Sequence, residues 1–417
     1  MPEFLKLIPP SEALALLMRS LPAEDLHGEW VETCHALGRI TAAEIRAPHA
    51  LPAFPRSAMD GYAVRAGDTF GASESIPGYL ILAGEVPMGA GPSFALQPGQ
   101  AAIIHTGGML PQNADAVVAL EQTEIARPGE IEIMRAVAQG ENVILVGEDV
   151  KEGQIVVPRG IRIRPAEVGG CMALGFTQIQ VAAKPKIGII SSGDEVVPPE
   201  QVPGPGQVRD INSYSLAALV TEAGGDPLLY GVVQDRLDLM KESVGKALSE
   251  CQAVVITAGS SASARDMTAE AIAAQGFPGV LVHGVNVRPG KPTILAVCGG
   301  KAVIGLPGNP VSALVIAGLF VVPLIKRLLG AHVERPSAAC MARLTVNVPS
   351  QAGREDWIPV KLIPSPDGSG KGEAWLAEPI FGKSNLIFSL SAADGLFCIP
   401  PDVTGLEAGE QVQVHLS

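Results

Sequence analysis

Four loops in this 417-residue chain carry residue types suited to holding an anion: "SSGDEVV" (191–197), "TAGSSASARD" (257–266), "RPGKP" (288–292) and "GLPGNP" (305–310). Small residues let backbone approach a ligand closely, and amides at a helix N-terminus favour negative charge. None is a Walker motif or a GxGxxG fingerprint, and one such loop alone reads as a tight turn. Together they offer Ser192, Gly193, Gly259, Ser260, Gly290, Pro307, Gly308 and Asn309 as a lining, with Arg288 and Lys291 as cations. That combination points to an anion pocket.

Carboxylates stand among the same loops. Asp194, Glu195, Asp235 and Asp266 each follow an apolar run. A carboxylate cannot bind phosphate directly, but it can hold Mg²⁺ that does, which makes Glu195, Asp235 and Asp266 the candidate metal ligands and suits phosphoanhydride chemistry. For Asp235 and Asp266 the competing expectation is helix N-capping. A further acid, Asp60 in "RSAMDGYAV" (56–64), precedes a glycine, and Asp-Gly is a turn dipeptide because glycine accepts positive φ. No Ser-His-Asp order or His-rich metal cluster stands out. His105 and His283 flank strand-like runs and read as packed or capping groups.

The loops need a scaffold. Residues 184–332 alternate apolar strand candidates ("PKIGIISSGDEVV", "QAVVITAGSS", "TILAVCGG", "AVIGLPG") with helical patterns, which predicts a doubly wound, mostly parallel sheet with its ligand at the carboxyl ends of the strands. Residues 1–50 read as mainly helical, with Ser11 as an N-cap. Residues 51–143 hold short apolar runs broken by Gly, Pro and Asn, a β-rich domain. Residues 144–183 give further strands and a short helix expected to pack back on 1–50 as one discontinuous domain. Residues 333–417 form a small β domain. The stretch 305–330 has about 20 uncharged residues, enough to span a bilayer. Pro310, Gly318 and Pro323 interrupt it, and a buried helix capped by Asn309 fits better.

Composition narrows the partners. A formal net charge of −13 and 4% aromatic residues argue against nucleic acid and against an anionic membrane surface. Six scattered cysteines without a CxxC read as reduced thiols of a cytoplasmic protein, and the first residues lack a signal-peptide pattern.

"PRSAMDGYAV", "HTGGMLPQNADAVVALEQTE", "GEDVKEGQIVVPRG", "PKIGIISSGDEVV", "RPGKPTILAV" and "GLPGNPVSALV" occur in the order found in MoeA-type molybdopterin molybdenumtransferases, a group that includes the gephyrin E domain. The chain resembles that family from about residue 10 to its C-terminus. The resemblance implies a MogA-like α/β domain, a discontinuous N-terminal domain, a β-rich domain and a C-terminal β-barrel. It also implies a homodimer, transient contact with a MogA-like adenylyltransferase, and a cleft shared between protomers. The implied activity is hydrolysis of adenylylated molybdopterin with Mg²⁺ and insertion of molybdate into the dithiolene. By motif, Asp60, Thr106, Glu195, Asp235, Asp266 and Lys291 fall at catalytic positions of the family, and Arg354 and Ser389 at binding positions. Three departures stand out. "TAGSSASARD" replaces the family's "SGGVSVGDYD", Arg288 stands where lysine is common, and "GREDWIPV" (353–360) lacks a second basic residue. They leave two alternatives open: a non-catalytic molybdopterin-binding scaffold or a tungstate-preferring enzyme.

Overall fold

The α/β region is built on near-continuous runs of Val, Ile and Ala, the pattern of strands covered on both faces. Its strands are β1 (Lys186–Ser192), β2 (Asp226–Val233), β3 (Ala253–Ala258), β4 (Pro278–His283), β5 (Ile294–Cys298) and β6 (Lys301–Pro307). In this computed structural model, which describes residues 7–23, 26–258, 262–331, 338–365 and 375–416, they form one sheet in the order β2-β1-β3-β6-β5-β4. β2, β1, β3 and β6 run parallel. β5 runs against both its neighbours, because a tight Gly299-Gly300 turn leads directly into β6. Helices Asn212–Glu222 and Pro310–Ile316 cover one face, and Leu237–Glu250 and Ala262–Ala273 the other. Two cores result, one around Ile187, Ile189, Ile304 and Phe320, the other around Ile190, Met240, Val254 and Ile256.

The apolar stretch after β6 is a core helix. Val311, Ala313, Ile316, Ala317, Phe320, Val321, Leu324 and Ile325 are all buried. It passes through a π-helical segment at Ala317–Val321 just before Pro323. Proline lacks an N–H and its ring crowds the carbonyl four residues back, and the widened turn absorbs both defects.

The helical reading of residues 1–50 is corrected. Among the described residues there, the one α-helix is Pro10–Ser20, begun by Pro10 itself, so Ser11 lies inside it and caps nothing. Its Ala13 and Leu17 are fully buried against the α/β core. Farther on, β-branched Val31, Ile40, Thr41 and Ile45 favour extended backbone. Gly28–Glu32 pairs with Gln178–Ala182, and Ile45–Arg46 with Ile155–Val157, around a core of Ala36, Val157, Ile163, Ile179 and Val181.

Between these segments lies a six-stranded sheet with Gly61–Val64 held between Gln100–Ile104 and Ala116–Ala119. At the other end of the chain, Glu355–Pro364 pairs with both Trp375–Pro379 and Gly395–Ile399, closing a five-stranded barrel over Phe397, Val360 and Val414. A short strand from the α/β region, Val287–Arg288, adds in parallel to this barrel at Glu355–Asp356.

Candidate functional site

At the carboxyl edge of the sheet the chain leaves β1 through Gly193, Asp194 and Glu195. Gly193 has φ +140°, and a Cβ there would stand 2.7 Å from Glu195 Oε2, so the missing side chain lets that carboxylate fold back over the strand end. Asp194 Oδ1 accepts the backbone N–H of Asp235, in the loop after β2, at 3.1 Å. Neighbouring strands thus bring three acids to one corner. Burial, then the charges of Asp194 and Glu195, push the Asp235 carboxyl above its ordinary range.

Several polar atoms at this edge have no partner among the described residues. They are Asp235 Oδ1, Ser192 Oγ, Asn212 Oδ1 and Ser213 Oγ, all buried. Asn212 is tied to the end of β6, donating from Nδ2 to the Gly308 carbonyl at 2.8 Å. Leaving such atoms unpaired is costly, and a ligand or ion that engages them recovers the cost. The donors in the acidic corner are all oxygens, which suits a hard divalent cation. The capping alternatives fall away. Helix Leu237–Glu250 has Arg236 at its N-cap, not Asp235, and Asp266 sits inside helix Ala262–Ala273 with an exposed side chain. Gly259 and Ser260 lie outside the described residues.

The opposite corner is basic. The β4–β5 connection carries Arg288, Gly290 and Lys291, and the Gly290 carbonyl is held by Thr293 Oγ1 at 2.6 Å. Arg354, from the barrel, donates to both oxygens of Asp356 at 2.8 and 3.2 Å, and Arg288 stands 3.7 Å from the same carboxylate. Asp356 is fully buried. Asn286, Arg288, Gly290, Lys291, Gly353 and Arg354 line a cleft of about 320 Å³ that carries three cations, two of which hold the buried Asp356 beneath it. Asn309 precedes its helix, as expected, without capping it through its side chain. Nδ2 donates instead to Ser384 Oγ at 3.1 Å, and the Ser384 carbonyl accepts from Val311 N–H. Ser384 therefore meets this edge. Ser389 lies on the short helix Ile387–Ser391, which packs against Pro310–Ile316, and its Oγ donates to the Leu386 carbonyl at 2.6 Å.

Asp60 and Thr106 stand apart, on the β-rich sheet. Asp60 Oδ1 accepts both the backbone N–H of Thr106 at 2.7 Å and its Oγ1–H at 3.0 Å. These bonds, the backbone one first, hold the Asp60 carboxyl below its ordinary range. The chain does turn here, bending over residues 58–60, but the reason for glycine is different. Gly61 opens a strand, and a Cβ there would lie 2.0 Å from the Val118 carbonyl, so close approach and not positive φ demands glycine.

The sequence did not single out Asn212, Ser213, Ser384 or Asp356. "DINSYS" ahead of an apolar run is a helix-start signature that flags the first two, whereas Asp356 and Ser384 are recognisable only once the barrel is docked.

Three family descriptions cover most of the chain: "MoeA N-terminal region (domain I and II)" over residues 8–175, "Probable molybdopterin binding domain" over 188–327 and "MoeA C-terminal region (domain IV)" over 341–417. A Methanocaldococcus jannaschii protein named for molybdopterin biosynthesis is 38% identical, across 93% of this chain and 91% of its own. The molybdopterin molybdenumtransferase of Bacillus subtilis is 33% identical, across 93% and 89%. The crystal structure of the MoeA protein of Pyrococcus horikoshii superimposes with a TM-score of 0.85, at 33% identity and 99% coverage of this chain and 100% of that one. With the six ordered motifs and this architecture, the chain belongs to the MoeA family of molybdopterin molybdenumtransferases.

Proposed function

We propose that this chain completes molybdenum cofactor biosynthesis: it binds adenylylated molybdopterin along the carboxyl edge of the α/β sheet, hydrolyses the phosphoanhydride to release AMP, and inserts molybdate into the dithiolene. The observation that carries this reading is the division of one strand edge into two corners. Buried oxygens of Ser192 and Asp235, without partners among the described residues, lie in the acidic corner after β1 and β2, and a three-cation cleft lies beside β5. β1 and β5 are three strand spacings apart, roughly 14 Å at about 4.8 Å per strand. A ligand serving both corners has to be long and anionic, as a pterin joined to a nucleotide through a pyrophosphate is.

The residues then divide the work. Arg288, Lys291 and Arg354 neutralise oxyanions, phosphate or molybdate, and orient them. Glu195 and Asp235, with Asp194 beside them and Asp266 on the following helix, hold Mg²⁺, which supplies charge neutralisation on the phosphates when bound. Asp235, through the carboxylate oxygen not turned to the cation, takes the proton of the attacking water as its oxygen bonds to phosphorus and the bridging P–O bond breaks. Asp60 and Thr106 reach no α/β residue of their own chain through a hydrogen bond among the described residues, and we assign them to the cleft of a second copy in a homodimer. Contact with a MogA-like adenylyltransferase, a cytoplasmic location and a division at 1–50 with 144–183, 51–143, 184–332 and 333–417 complete the proposal.

The test is to incubate the purified chain with adenylylated molybdopterin, Mg²⁺ and molybdate, following AMP release and reconstitution of a molybdenum-free apo-enzyme. Both are expected. Binding without AMP release or reconstitution overturns the transferase in favour of a scaffold.

A further inference from the structure

Far from this cleft in sequence, the end of strand Gly28–Glu32 runs into a single 3₁₀ turn, Thr33–His35. The turn is pinned from inside. Thr33 is fully buried, its N–H bonds to the Thr177 carbonyl at 2.9 Å and its Oγ1–H to the Phe176 carbonyl at 2.6 Å, and Ala36 is buried after it. With Thr33 turned inward, Glu32, Cys34 and His35 stand exposed on the outside. Glu32, at the strand end just before the turn, and His35, at the end of the turn, come together there, with His35 Nδ1 3.2 Å from Glu32 Oε2. Cys34 Sγ lies 3.8 Å from the same oxygen, and all three ligand atoms fall within 4.8 Å of one another.

We propose that Glu32, Cys34 and His35 form a binding site for a borderline-soft divalent cation of the Zn²⁺ class. The donor set carries the choice of metal. One thiol, one imidazole and one carboxylate match zinc ligation and do not match Mg²⁺ or Ca²⁺, which take oxygens. The spacing supports it. Zinc bonds of about 2.0–2.3 Å in a tetrahedron give ligand–ligand edges of roughly 3.3–3.7 Å, and two edges here measure 3.2 and 3.8 Å. The pinned backbone means that binding orders only three side chains. Three protein ligands leave the fourth position open to water, and binding displaces the thiol proton, so affinity rises with pH. This site is separate from the acidic corner in residues and in chemistry, and it stands whether or not the transferase reading holds.

The experiment titrates the full-length chain with Co²⁺ alone, in Mg²⁺-free buffer, reading thiolate-to-cobalt charge-transfer absorption, with Zn²⁺ competition. One equivalent of a thiolate band that Zn²⁺ displaces is expected. Cys34→Ser abolishes the band, and His35→Ala and Glu32→Gln each weaken binding by about tenfold or more. A second readout is protection, followed at the Cys34 peptide by mass: Zn²⁺ slows alkylation of exposed Cys34 and leaves that of half-buried Cys340 and Cys398 unchanged, while Cys171, Cys251 and Cys298 are buried. All three substitutions lie on exposed side chains, so the chain folds in each. No band, a band unchanged in Cys34→Ser, or binding indifferent to both His35→Ala and Glu32→Gln overturns the site and leaves a surface Glu–His ion pair beside a thiol.

Discussion

The two corners of the strand edge are built on opposite principles. In the acidic corner, Asp194, Glu195 and Asp235 are drawn together with no cation among their hydrogen-bond partners in the described residues, and Asp235 is pushed toward its protonated form. In the basic corner, Arg288 and Arg354 surround a fully buried Asp356 that organises them, while Lys291 stands exposed at the cleft. One corner is left electrostatically unsatisfied and becomes stable when a cation arrives. The other is satisfied internally and keeps positive charge in reserve. The difference teaches that the acidic side is tuned by what is missing, and the basic side by a counter-ion already in place.

The comparison breaks most readily at Lys291. Lys291→Ala is expected to lower AMP release, read as kcat/KM, by about a hundredfold or more, with an unchanged melting temperature because the side chain is exposed. A variant that unfolds would show the residue to be structural. Next comes the buried counter-ion. Arg354→Ala strips Asp356 of its bidentate partner and is expected to cost about 3 kcal/mol in a urea titration. Arg288→Ala, on a side chain 64% exposed, is expected to cost less than about 1 kcal/mol while still weakening substrate binding. Equal losses from the two would refute the asymmetry.

The acidic corner answers to pH in the reverse sense. A carboxyl raised in the fold holds a proton where the unfolded chain has lost it, so its contribution to stability falls as pH climbs from the ordinary carboxylate range through the raised value. Asp235→Asn is therefore expected to melt higher than the parent at neutral pH, with the gain vanishing in acid. Mg²⁺ narrows the gap by stabilising the parent alone. A gap independent of both pH and Mg²⁺ would contradict this. The smallest effect belongs to Asp60. Its depressed carboxyl stabilises the fold above the ordinary carboxylate range and ceases to do so as pH falls through its own lower value. Thr106→Val removes only the weaker of the two lowering bonds. In a carbon-detected NMR titration Asp60 is expected to move partway back toward its ordinary range, without measurable change in melting.

Much of this was legible from local chemistry. The α/β strands announce themselves as apolar runs, and their loops as small residues, so the edge carrying Ser192, Glu195, Asp235, Lys291 and Asn309 could be drawn from sequence. What could not be drawn depends on contacts distant along the chain. Residues 28–46 read as helix because their propensities are close, and pairing with 155–157 and 178–182 decides for strand. Asn309 looked like a cap, but a serine 75 residues away takes its amide. Asp266 looked like a cap because the preceding loop hides where its helix begins. Gly61 looked like a turn glycine, and only the Val118 carbonyl across the sheet reveals the real constraint.

The two-residue strand Val287–Arg288 has a mechanical consequence. It is at once a rung against the barrel's Glu355–Asp356 and the lead-in to the loop bearing Gly290 and Lys291. The barrel is thus a buttress. Any rocking of it against the α/β layer shifts Arg288 and Arg354 together, as one jaw, while the carboxylates after β1 and β2 stay fixed to the sheet. A fragment trimmed to the α/β layer would keep its acids, Arg288 and Lys291, but lose Arg354 and the rung that sets Arg288 in place.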